Sequence, residues 1–186
     1  MTTSDGTVPG SAMSARYPEF FRPPLVYPDV PFHEMLARTV LRVPERPAIY
    51  WHDVVITYRE MYAMVRSAAI ALNALGLRKG DRICLLLPNR PEYVITWFAA
   101  SMLGLVVSPM NPSYKQREVA YQLQNTEAAA LLVHSDLLPV VREIQSQVPS
   151  LKHVLITGNE DVHDAIAFGR LLRSTSPGRV PVEHGE

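Results

Sequence analysis

One cysteine, Cys84, stands in a chain of 186 residues. An internal disulfide is therefore impossible, a cysteine-built metal site is excluded, and a reducing, cytoplasmic setting follows as the default. Net charge is also missing, because 18 Lys and Arg balance 18 Asp and Glu. Nucleic acid is not expected as a partner, since phosphate binding needs an excess of basic groups on one face. No apolar run approaches the ~20 residues that cross a bilayer, so no transmembrane segment is expected. No basic start leads into the ~7–15 apolar residues of a secretory signal. A hydrophobic fraction of 47% against a charged fraction of 19% suits a packed core and rules out whole-chain disorder.

Motifs that carry chemistry are absent too. There is no G-x-G-x-x-G run, and no Gly-Lys pair on which a phosphate loop could end. The histidines, His33, His52, His134, His153, His163 and His184, include no i, i+4 pair of the kind that holds a metal on one helix face. No serine has the glycine-flanked elbow of hydrolases. Cys84 lies in an apolar run with no cation beside it in sequence, as befits a buried, inert thiol. Asn89 and Arg90 could touch an anion at a strand end, and Pro109-Met110-Asn111-Pro112 could border a ligand. Turn chemistry accounts for both, with Asn89 a turn residue and Arg90 a solvated neighbour. Glu118, Glu127 and Glu143 read as helix-surface charges, and Trp51 and Trp97 as core or interface residues. No catalytic, cofactor-binding or metal-binding residue is assigned.

What remains is an ordered alternation of elements. Residues 1–30 form a proline-rich arm, partly disordered, in which Phe20, Phe21, Leu25 and Val26 could staple onto a globular body. A helix follows, with Phe32, Met35, Leu36, Val40 and Val43 on one face, stopped by Pro44 and Pro47. Ala48 to Trp51 and Val54 to Ile56 read as two short strands around a His52-Asp53 turn. Thr57 and Glu60 then have the spacing of a capping box, and Gly76 sits where a left-handed cap ends the helix they open.

From residue 80 the pattern becomes strand–helix–strand. Ile83 to Leu87 is short and uniformly apolar, as in a parallel strand covered on both faces. A helix with Pro91 in its first turn runs to Gly104, and Leu105 to Val107 reads as a second buried strand. Ser113 and Gln116 suggest another capping box, for a helix carrying Val119, Ala120 and Leu123 and ending near Asn125. Ala129 to Val133 is a third strand, Leu137 to Ile144 a helix capped by Asp136, and Val154 to Ile156 a fourth strand. Ala165 to Leu172 could add one more helix, and residues 174–186 form a polar tail. The expectation is an α/β domain over residues 31–173, a doubly wound, mostly parallel sheet with flanking helices.

Several phrases stand in a fixed order: Pro31-Phe32-His33-Glu34-Met35-Leu36, Arg46-Pro47-Ala48-Ile49, Thr57-Tyr58-Arg59-Glu60-Met61, Leu75-Gly76-Leu77-Arg78-Lys79-Gly80-Asp81-Arg82-Ile83, Leu87-Pro88-Asn89-Arg90-Pro91-Glu92-Tyr93, Asn111-Pro112-Ser113-Tyr114 with Arg117-Glu118-Val119, and Tyr121-Gln122-Leu123. In this succession they resemble the opening section of the adenylate-forming, AMP-binding enzymes, most like the long-chain fatty acid–CoA ligases. The resemblance implies the N-terminal subdomain of the acyl-CoA synthetase fold and a two-step ligase using ATP, Mg2+ and CoA. Carboxylate and ATP would give an acyl-adenylate, and the CoA thiol would then displace AMP.

The family's Ser/Thr/Gly-rich phosphate loop and its later nucleotide-binding segments have no counterpart in these residues. No catalytic or ATP-binding residue carries over, and no cofactor is expected on this chain. The resemblance thus implies an N-terminal fragment, inactive alone, whose partner is the remainder of its own enzyme and whose parent takes fatty acid and CoA. A ligase for aryl or medium-chain acids, or a naturally short non-enzymatic binding module, are the alternatives. Loss of the covering remainder would leave apolar surface, so self-association or a homodimer is expected.

Overall fold

The computed structural model describes residues 28–158 and 164–174. The expected arm, but for residues 28–30, and the expected tail after Ser174 lie outside the described residues. Helix α1 (Phe32–Arg42) buries His33 and Leu36, while Phe32 and Met35 of its apolar stripe stay about half exposed. Val43 falls one residue beyond the helix. The Phe32 ring stacks on Phe98 at 4.5 Å between centroids, and the buried His33 bonds through its ring Nδ1 to Ser101 Oγ at 3.2 Å.

Strands β1 (Pro47–Trp51) and β2 (Val54–Thr57) pair antiparallel, with Tyr50 opposite Val55 and Trp51 opposite Val54. His52 makes the turn at φ 48°, a left-handed conformation that histidine tolerates better than most residues. The expected capping box then opens α2 (Tyr58–Ala74). Thr57 Oγ1 accepts the Glu60 amide at 3.2 Å, and Glu60 Oε2 accepts the Thr57 amide at 2.8 Å. The backbone hydrogen bond from Thr57 holds the Glu60 carboxyl below its ordinary range. Gly76, at φ 91°, follows the helix as expected, because only glycine takes that conformation without a steric penalty.

The remaining strands, β3 (Arg82–Leu86), β4 (Val106–Pro109), β5 (Ala130–His134), β6 (His153–Thr157) and β7 (Ile166–Ala167), form one sheet ordered β4-β3-β5-β6-β7. Every pairing in it is parallel. Side chains alternate across the sheet with the strand period of two. Ile83, Leu85, Leu87, Ala130, Leu132 and Leu155 face one core, shared with α2 and α3 (Pro91–Met102). Cys84, Leu86, Leu131, Val133, Val154 and Ile156 face the other, under α4 (Gln116–Asn125) and α5 (Leu138–Ile144). Helices therefore cover both faces, which is why these strands read as continuous apolar runs. Full burial of each such Leu or Ile side chain stabilises the fold by roughly 1.5–3 kcal/mol.

Four local expectations are corrected. The run from Leu105 is not a buried strand: β4 lies at the sheet edge, with Val106 52% exposed, and an apolar run alone does not distinguish edge from centre. The capping residue of α4 is Glu118, whose Oε2 accepts the Lys115 amide at 3.0 Å, rather than a Ser113–Gln116 pair. The Ser113 amide instead donates to Asn111 Oδ1 at 2.9 Å, a local Asn turn that takes it out of the helix start. Asp136 does not cap α5: a short 3-10 turn, Ser135–Leu137, comes first, and His134 Nδ1 accepts the Asp136 amide at 3.3 Å. Residues 165–172 are not one helix either, since Ile166 and Ala167 pair with β6 before α6 (Phe168–Ser174) begins.

Thr96, fully buried in α3, has no hydrogen-bond partner for its Oγ1 among the described residues. Burying a hydroxyl without a partner costs free energy, and valine has nearly the same shape and helix propensity. Thr96→Val should raise stability by about 1 kcal/mol. In urea this reads as a higher midpoint at an unchanged m value. A midpoint that falls would mean the hydroxyl has a partner.

Candidate functional site

In an open α/β sheet the chain reverses its direction of winding at one place, and ligands settle beyond the strand carboxyl ends there. Here β3 is followed by β4 on one side and β5 on the other, so the reversal lies between the exits of β3 and β5. Leu87 to Pro91 leave β3, and His134 ends β5. These exits bring together Arg90, Glu92, His134 and, from the end of β6, Thr157.

The four side chains form a connected chain of contacts. Arg90 Nη2 donates to Glu92 Oε1 at 3.0 Å and its Nε to Glu92 Oε2 at 3.2 Å, a two-pronged ion pair. Thr157 Oγ1 donates to Glu92 Oε1 at 2.7 Å and ties the end of β6 to the start of α3. Arg90 Nη1 lies 3.5 Å from His134 Nε2. The guanidinium carbon of Arg90 also sits 5.3 Å from the centre of the Trp51 ring, which links the β1–β2 hairpin to the sheet through a cation–π contact. Gly158 follows at φ 94°, packed so closely that a Cβ would lie 2.8 Å from His134 Nε2.

The electrostatics follow from these contacts. Partial burial works to raise the Glu92 carboxyl pKa, but the hydrogen bonds from Arg90 and Thr157 outweigh it and hold the pKa below the ordinary value of 4.5. A depressed carboxyl stabilises the fold fully above its unfolded value, about 4.3, and that contribution disappears as pH falls through the lower folded value. Glu92→Gln should therefore flatten the acid limb of a stability-against-pH curve below about pH 4.5. Urea midpoints from pH 3 to 7 test this, and a variant with the parent's acid limb would show that Glu92 does not titrate this way.

Sequence reasoning missed this network. Arg90 is not a solvated neighbour: its side chain is 21% exposed and engaged on three sides. Asn89 is an exposed turn residue, as expected. Trp51 is half-buried and serves as the platform for Arg90. His134 carried no signal beyond its place at a strand end: Arg90 lies 44 residues away, and its near partners are the amide and the carboxylate of Asp136. Cys84 is buried, and burial pushes its thiol pKa up, so it is a poor nucleophile. Among the described residues no group of His, Cys, Asp and Glu could hold a metal, and no helix is long and apolar enough to cross a membrane.

Two Arg90 nitrogens are taken by Glu92, its flat face is covered by Trp51, and α3 opens with Pro91, which has no amide hydrogen. The arrangement fastens three strand exits and a hairpin to one another. Chemically it is a brace.

The family model described as AMP-binding enzyme matches residues 36–179. A long-chain-fatty-acid–CoA ligase of Haemophilus influenzae is 32% identical over 138 residues, which are 74% of this chain and 24% of that protein. Among solved structures, an anthranilate CoA ligase in complex with anthranoyl-AMP superposes with a TM-score of 0.78 at 25% identity, over 82% of this chain and 30% of that one. The Mycobacterium tuberculosis fatty acyl CoA synthetase gives a TM-score of 0.73 at 28% identity, over 84% of this chain and 30% of that one. The chain spans about a quarter of the length of the curated relatives it matches, between 22% and 26%. With its parallel sheet, its helices on both faces and its match over residues 36–179, the chain belongs to the AMP-binding enzyme family.

Proposed function

We propose that this chain is the N-terminal portion of an ATP-dependent fatty acid–CoA ligase, with residues 31–173 as its α/β subdomain. The observation that carries the reading is the family match over residues 36–179 within a chain covering about a quarter of its relatives. The parent converts a carboxylate and ATP, with Mg2+, into an acyl-adenylate and pyrophosphate, and CoA then displaces AMP. Carboxylate is a poor acyl donor, and an adenylate leaving group makes its carbonyl open to attack by a thiol. The groups that grip the triphosphate are not among the residues of this chain, so its catalytic and cofactor-binding residues are none and it is inactive by itself. Its own residues hold the sheet, brace the strand exits and present surfaces to the remainder of the enzyme.

Fatty acid is favoured as the substrate by curated relatives named long-chain-fatty-acid–CoA ligases. An aryl acid is the second reading, supported by the superposition on the anthranilate CoA ligase. The half-exposed Phe32 and Met35, with the exposed Leu41 and Tyr50, support self-association of the isolated chain. Reading the coding sequence past the codon for Glu186 tests the proposal. An open frame leading into a Thr-Ser-Gly-Thr-like loop supports it, whereas a stop codon there refutes it and favours a short binding module.

A further inference from the structure

A groove of about 620 Å³ runs along the outer flank of the sheet, between β4 and α4, and the brace at the strand exits makes no use of it. Its volume falls within the ~300–1,000 Å³ of small-molecule sites. Arg117, Tyr121 and Asn125 line it from α4 at four-residue spacing, so they share one helix face. Tyr114 closes one end and packs against the core beneath α4, while Tyr121 is 68% exposed with no ring partner among the described residues. The Arg117 side chain makes no ion pair or hydrogen bond among the described residues, unlike Arg38, Arg59, Arg82, Arg90 and Arg142, each paired with a carboxylate.

The neighbouring backbone discourages a peptide strand as the occupant. The amides of Val106 and Met110 bond to the carbonyls of Asp81, just before β3, and Leu85 within it, so the alternate residues Val107 and Pro109 face outward. Pro109 has no amide hydrogen, and its carbonyl already accepts Gln122 Nε2 at 2.9 Å. Only Val107 is left to pair, too little for strand addition.

We propose that this groove binds a small, flat, singly charged anion, of the class of an aromatic monocarboxylate. The ring would lie against Tyr121 and Tyr114, and its carboxylate would pair with Arg117. Glu118, which also lines the groove and turns one oxygen to the Lys115 amide, sets the limit of one negative charge on the ligand. The groove is lined by β4, α4 and the turn between them, away from the strand exits, so the proposal does not rest on the ligase reading.

The test is a titration of the 15N-labelled full chain with 2-naphthoate, followed by amide chemical shifts. Saturable shifts should concentrate at Ser108 and across residues 114–126. Arg117→Gln should weaken binding about tenfold, the scale of one charge-assisted hydrogen bond, and Arg117→Lys should weaken it less. Uncharged 2-naphthylmethanol and dianionic naphthalene-2,3-dicarboxylate should both bind more weakly than 2-naphthoate. Arg117 is exposed, so an otherwise unchanged amide spectrum certifies that each variant is folded. Absent shifts, shifts centred elsewhere, or equal binding by Arg117→Gln would each overturn the proposal. Failure here leaves the ligase reading untouched, since that reading is decided by the downstream sequence.

Discussion

Phe168→Ala should remove about 3–5 kcal/mol of unfolding free energy, against a total of ~5–15 kcal/mol for a domain of this kind. Phe168 is 1% exposed and is the first residue of α6, joining the core shared by α2, α3 and the sheet. Its ring fills space between α2 and the last strands, so truncation leaves a cavity as well as losing transfer free energy. Urea unfolding followed by circular dichroism measures the cost. A cost under about 1 kcal/mol would mean that the segment from Asp164 to Ser174 is not packed onto the sheet, and β7 would fall with it.

Gly158→Ala should be nearly as damaging, by two separate routes. At φ 94° an L-residue is strained by about 1–2 kcal/mol. The added Cβ would also lie 2.7 Å from Ser135 Oγ and 2.8 Å from His134 Nε2, so the β5 exit must move away and the contact with Arg90 is lost. A melting temperature lower by about 5 °C or more is expected, at ~2–4 °C for each kcal/mol in a chain of this size. Repeating the change in a His134→Ala background separates the routes, since the side-chain clash is reduced while the backbone strain stays. Equal costs in both backgrounds would show that His134 is not held against this turn.

The sequence carried the architecture because burial on both faces is written into composition. Ile83 to Leu86, Ala130 to Val133 and Val154 to Ile156 are apolar at successive positions, and only a strand roofed by helices on two sides tolerates that. The start and stop of α2 were legible because Thr57, Glu60 and Gly76 act within a few residues of the backbone groups they satisfy. β4 was legible as a strand but not as an edge, since edge position depends on which strands find each other. Two caps were misassigned because local side chains set other turns there: Asn111 accepts the Ser113 amide and His134 accepts the Asp136 amide.

The brace was illegible. Arg90 meets Glu92 two residues away, His134 across 44 residues and Trp51 on the hairpin, while Thr157 reaches Glu92 across 65. Tertiary folding, not sequence proximity, brings Trp51, His134 and Thr157 to the Arg90–Glu92 pair. A lone arginine in a Pro-Asn-Arg-Pro turn is indistinguishable in sequence from a solvated one. The groove between β4 and α4 left a faint trace, the four-residue spacing of Arg117, Tyr121 and Asn125 opposite the apolar face of Val119 and Leu123.

ATP–pyrophosphate exchange bears most directly on the claim that these residues are frame rather than engine. With ATP, fatty acid, Mg2+ and labelled pyrophosphate, the chain alone should return no label to ATP. Joined to the downstream portion of a long-chain fatty acid–CoA ligase, it should restore exchange that depends on the acid. Exchange reproducibly above blank by the isolated chain would contradict the account, as would a fused protein that folds and stays inert.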